Sequence, residues 1–145
     1  MLFRPCDIHC HTERSKCAED VTLEWYVEYA RKHPDPVFAI TDHSAQMFYP
    51  PDNMWGFWSE DAREVFEECR EAGIRRIDQY IADIRAAQTG GMLLGIELDM
   101  FLDGTPVLGE DQLGEFDIVL GAVHSYPSLR ARADAAPVIA DYRTF

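Results

Sequence analysis

Short, wholly apolar runs alternate along this chain with longer amphipathic stretches. Val37-Phe38-Ala39-Ile40 and Met92-Leu93-Leu94-Gly95-Ile96 are apolar at every position, the pattern of strands buried on both faces. Residues 4–10 and 116–123 complete a set of four predicted strands. Glu19 to Lys32 predicts a helix, with Leu23, Tyr26, Val27 and Ala30 at helical spacing and Asp20 or Thr22 as its cap. His33-Pro34-Asp35-Pro36 ends it, because proline disfavours helix in the residue before it. A second helix is predicted from Ser59 or Asp61 to Gln88, with Phe66, Cys69, Ile77, Tyr80, Ile81 and Ile84 along one face. Gly73 weakens its middle, so two helices broken near Ala72-Gly73 fit the pattern equally well.

Between these elements lie less regular segments. Ser44 to Trp58 is rich in proline, glycine and large aromatic residues and reads as a loop. Its rings either wall a substrate site or cover the core or a subunit contact, since a loop this apolar must be covered by something. Asp103-Gly104-Thr105-Pro106 is a strong turn signal, and residues 131–145 are weakly patterned. Strands alternating with helices predict a parallel α/β architecture. Four strands with a site at their C-terminal ends suit either an open sheet or part of a barrel.

Composition narrows this picture. A chain of 145 residues fits one domain, here taken as residues 1–145, with a core of useful size. The net charge of −13 makes it a poor partner for nucleic acid or an anionic membrane, because phosphate contacts need clustered cations. No apolar run approaches a membrane span, and the polar start predicts no signal peptide, so a cytoplasmic protein is expected. In that compartment the four cysteines are expected as free thiols.

Four of the five histidines fall in four short segments: Asp7-Ile8-His9-Cys10-His11, Thr41-Asp42-His43, Gly95-Ile96-Glu97 and Val123-His124-Ser125. Each stands at or just past the end of a predicted strand. One rim of a parallel sheet or barrel would gather all four. His9 and His11 share a strand face with Asp7 below them, and Cys10 points the other way. Imidazoles bind zinc, manganese or iron, and a carboxylate can bridge two such ions. Any one of these residues alone would more often be structural; their coincidence at strand ends predicts a metal site. No phosphate-binding glycine loop and no nucleophile elbow competes with it.

In order, Asp7-Ile8-His9-Cys10-His11-Thr12, Ala39-Ile40-Thr41-Asp42-His43, Leu94-Gly95-Ile96-Glu97 with its following Asp103-Gly104, and the strand Phe116 to Ser125 resemble the motifs of the PHP (polymerase and histidinol phosphatase) superfamily of metal-dependent phosphoesterases. The resemblance implies a distorted (β/α)7 TIM-like barrel, parallel strands inside and helices outside, of which this chain carries a part. It implies two or three divalent ions (Zn, Mn or Fe), held by His9, His11, His43, Glu97 and His124, with His9, His11, Glu97 and His124 catalytic. A further ligand position about six residues past the first motif falls on Cys17, which is otherwise a plain thiol. Asp7 and Asp42 would orient ligands from behind. The family pattern closes with another histidine and an Asp-x-His pair, and no histidine follows His124. A truncated domain lacking its C-terminal segment is therefore expected, or one completed by a partner chain, as in a homo-oligomer, or a degenerate module.

The implied activity is hydrolysis of a small phosphate monoester by a metal-bound hydroxide, as in the histidinol-phosphatase branch. The substrate would be a small phosphorylated metabolite, with Arg14 and Arg130 as candidate phosphate contacts. Two alternatives stand beside it: a non-catalytic metal-binding or regulatory module, and an exonuclease-like domain.

Overall fold

The computed structural model describes residues 6–50, 62–101, 103–122 and 124. Strand β1 (Cys6–Cys10) leads through a wound turn to helix α1 (Leu23–Lys32) and strand β2 (Val37–Ile40). A single 3-10 turn (Ala45–Met47) follows, then helix α2 (Ala62–Ala87), strand β3 (Gly91–Asp99), a one-turn helix α3 (Glu110–Leu113) and strand β4 (Ile118–Ala122). The strands lie in the order β1-β2-β3-β4, every neighbouring pair parallel. They form a curled half-barrel with its helices, a partial α/β TIM-like barrel, which decides between the open sheet and the barrel.

The handover along β3 produces the curl. Gly91–Leu94 pair with Val37–Ile40 of β2, whereas Gly95–Asp99 pair with Ile118–Ala122 of β4. β4 is thus displaced along β3 relative to β2, the kind of stagger that tilts and closes a barrel. At the handover Gly95 has no room for a side chain: a Cβ would stand 2.5 Å from Thr41 Cγ2 and 2.8 Å from Ile118 Cγ2.

Several elements differ from the sequence-based expectation. Helix α1 starts at Leu23, because Thr22 caps it by accepting from the Trp25 amide at 3.3 Å. Helix α2 runs unbroken through Gly73. That glycine is a packing device: the Phe48 ring lies where its Cβ would be, 2.0 Å from the nearest ring atom. The predicted loop 44–58 begins with the 3-10 turn and carries Met47, Phe48 and Tyr49 into the core. Its remaining rings, from Trp55 to Trp58, lie outside the described residues. Strand β3 continues past the apolar run to Asp99, and α3 has no counterpart in the predicted elements.

The core joins Phe38, Ile40, Leu94 and Ile96 of the central strands to Ile77, Tyr80 and Ile84 of α2. Tyr80 also reaches the strand ends, donating towards the Ile40 carbonyl (3.0 Å) and the Gly95 carbonyl (2.9 Å). One phenol therefore ties β2 and β3 together just below the candidate site. No described helix is long and apolar enough to cross a membrane.

Candidate metal centre

All four predicted segments meet at the C-terminal ends of the strands. His9 and His11 rise from the end of β1, His43 follows β2, Glu97 stands in β3 and His124 follows β4. The imidazoles form a chain: His9 to His11 at 4.8 Å between ring centroids, His11 stacked on His43 at 4.8 Å, and His43 to His124 at 4.7 Å. Glu97 lies at their focus. Its Oε2 is 3.1 Å from His9 Nε2, 3.3 Å from His11 Nε2 and 3.4 Å from His43 Nδ1. Its Oε1 is 3.2 Å from His124 Nε2.

Asp99 belongs to the same cluster and escaped the sequence reading. Its Oδ1 stands 3.0 Å from His124 Nδ1 and 3.6 Å from His43 Nδ1. The signal was available: residues two apart on a strand share a face, so an extended β3 puts Asp99 beside Glu97. The continuous apolar run stops at Ile96, so the pattern predicts a strand ending at Glu97 and leaves Asp99 beyond it.

The backbone behind the histidines is held by Asp42, which is fully buried. Its carboxylate accepts from the Thr12 amide, the Thr12 hydroxyl and the Ser15 hydroxyl, each at 2.7 Å. Ser15 Oγ in turn accepts from the His43 amide at 3.1 Å. The turn that carries His11 and Cys17 is thereby fastened to the segment that carries His43. Asp42 lies 4.0 Å from His11 Nδ1, beyond hydrogen-bond range, so it positions the turn more than the ring. Asp7 is exposed and accepts from the His9 backbone amide at 3.1 Å, not from an imidazole.

Cys17 lies outside the strands yet joins His11 and His43, with their ligand atoms within 4.8 Å of one another. Cys10 is buried on the opposite face, as the strand parity predicts. Arg14 is engaged elsewhere: its guanidinium pairs with Asp83 of α2 and lies over the Tyr80 ring. Arg130 is outside the described residues.

Electrostatics distinguishes the members. Burial, then the charge of His43, pushes His11 down to about 4, so its ring is neutral at ordinary pH. His124 is pushed up to about 9, by Asp99 first and Glu97 second. Burial raises the Asp99 carboxyl, but the neighbouring His124 and His43 outweigh it and hold it at about 2. The same contest leaves Glu97 below its usual range, with His124, His43 and His9 overcoming burial. Asp42 shows the reverse outcome: burial raises it against the bonds from Ser15 and Thr12.

Two observations fit this donor set to divalent cations. The Nδ1 atoms of His11 and His43 are buried without a hydrogen-bond partner, a state that normally requires an explanation such as an ion. The spacing also matches. A tetrahedral ion with ligands at about 2.0–2.1 Å separates those ligands by roughly 3.3–3.4 Å, and the nitrogen–oxygen distances here run from 3.0 to 3.6 Å. His9, His11 and Glu97 form one candidate set, and His43, Asp99 and His124 another.

A half-barrel with histidines and carboxylates gathered at its strand ends is the frame of a metal-dependent hydrolase. The chain matches the PHP domain over residues 7–142 and belongs to that family. PHP domains are generally hydrolases of the phosphoesterase type that bind divalent metals. No curated protein matches the chain.

Proposed function

We propose that this chain hydrolyses a small phosphate monoester, in the manner of a histidinol phosphatase. The convergence of four imidazoles on the two oxygens of Glu97 carries the reading. Divalent cations bound there would supply Lewis acidity and lower the pKa of a water molecule. His9, His11, His43, Glu97, Asp99 and His124 would hold them. The buried carboxylates of Glu97 and Asp99 offset cation charge, and neutral His11 offers a lone pair without losing a proton. Asp42 keeps the His11 turn in place. His9 and His124 are the partly exposed members, so a phosphate group approaches between them. The charge of −13 favours a small substrate over a long nucleic acid.

With Mn²⁺ or Zn²⁺ the purified protein should cleave an aryl phosphate, and His9→Ala should abolish that activity; equal turnover by the variant would sink the proposal. Fluorescent single-stranded DNA should stay intact. A second reading, a non-catalytic metal-binding module, draws support from the cations nearest the first motif: Arg14 pairs with Asp83 and Lys16 with Glu19, leaving neither aimed at a substrate. Bound metal without turnover would favour it.

A further inference from the structure

We propose that Tyr26 is a positioning residue that sets the aim of the His11 imidazole, acting through the His11–Thr12 peptide. The proposal rests on the metal-hydrolase reading of the same site and adds a residue of helix α1, outside all four motif segments.

His11 follows directly on the end of β1. The Cys10 carbonyl still accepts from the Thr41 amide, at 2.7 Å, and the next peptide is held by side chains instead. Its carbonyl, His11 O, accepts from the Tyr26 hydroxyl at 3.1 Å. Its amide, Thr12 N–H, donates to Asp42 Oδ1 at 2.7 Å. The two groups point in opposite directions from one rigid plane. A plane gripped at both ends cannot turn without breaking one of the bonds, so the backbone torsion leading out of His11 is fixed. Asp42 grips it from the segment after β2, and Tyr26 grips it from α1.

The ring has no such hold of its own. Its Nε2 stands 3.3 Å from Glu97 Oε2, and its Nδ1 is buried with no hydrogen-bond partner among the described residues. A metal-binding imidazole is normally steadied by a hydrogen bond at its second nitrogen. Asp42 is 4.0 Å from Nδ1, too far to supply one. The clamped peptide takes over that task. Tyr26 is itself braced: its ring lies 5.2 Å from that of Trp25, at an interplanar angle of 88°, and 5.8 Å from that of Phe38 in β2.

The test compares two tyrosines of one helix. Tyr26→Phe keeps the ring and removes the hydroxyl. Tyr29→Phe makes the same change at a ring that packs on Trp25 and Phe38 but does not bond the His11 peptide. Zn²⁺ titration of the full chain, well below its melting temperature, should show roughly tenfold weaker binding in Tyr26→Phe and unchanged binding in Tyr29→Phe. A purely structural tyrosine would leave both affinities at the wild-type value. Crystals of metal-free Tyr26→Phe supply a second readout, in which the His11 ring should stand farther from Glu97 than the 3.3 Å of the wild type. Wild-type affinity in Tyr26→Phe overturns the proposal, as does an equal loss in Tyr29→Phe or a His11 ring that has not moved. A wild type that takes up no zinc overturns the metal-hydrolase reading instead, and the ring position in metal-free crystals then decides the role of Tyr26.

Discussion

The two walls of the site differ in kind. The inner wall comes from the central strands: His43, Glu97 and Asp99 are all buried, and Asp42 and Tyr80 brace them from behind. The outer wall comes from β1 and β4, the outermost strands among the described residues. There the His9 side chain is 53% exposed and that of His124 31%, against 5% for Glu97. Rigidity and access are thus separated by position in the sheet. A central strand is held by neighbours on both sides and fixes ligand geometry, whereas an edge strand leaves its ligand open to solvent and substrate.

Substitutions can break this contrast. The largest loss is expected from Asp42→Ala, which strands three buried donors at about 1–3 kcal/mol each. A destabilisation of roughly 3–5 kcal/mol by denaturant titration would agree, and a loss below about 1 kcal/mol would deny Asp42 its bracing role. Gly95→Ala forces a methyl against Thr41 and Ile118 and should cost about 1–3 kcal/mol. Tyr80→Phe keeps the ring but removes the bonds to Ile40 and Gly95, with a loss of about 1 kcal/mol in the same assay.

A smaller effect is expected from pH. The folded pKa of His124, about 9, lies above the ordinary imidazole value of 6.5. Its contribution is therefore full below the unfolded pKa and is lost as pH rises through the folded one. The melting temperature of metal-free protein should fall between pH 7 and 9.5 and fall less in His124→Gln. The smallest change belongs to the outer wall: His9→Ala should alter stability by no more than about 0.5 kcal/mol while weakening zinc binding at least tenfold. A large stability loss there would erase the distinction between the walls.

The sequence exposed the elements whose physics is local. Parallel strands buried on both faces leave continuous apolar runs, so Val37–Ile40 and the start of β3 were plain to read. The five motif residues His9, His11, His43, Glu97 and His124 could be placed together because strand ends share one rim in a parallel sheet. What escaped depends on distant partners. Glu97-Leu98-Asp99 looks like the end of a strand until β4 pairs alongside it. Gly73 resembles a helix breaker until Phe48 is seen against it. Arg14 looks available for a phosphate, but its partner Asp83 comes from a helix far along the chain. The helix α3 has one turn, too short for any periodicity to show.

The handover along β3 has one more consequence. Its first half fits β2 and builds the core; its second half fits β4 and presents Glu97 and Asp99. Both carboxylates share one phase of the strand's alternation, as does Gly95. Inserting a single residue between Leu94 and Gly95 would leave the apolar half in place and invert everything after it. Both acids would turn to the opposite face of the sheet, and Leu98 would take a position among the histidines. Chemistry and fold are therefore written in a single phase of one strand, and that phase can shift only if both are lost together.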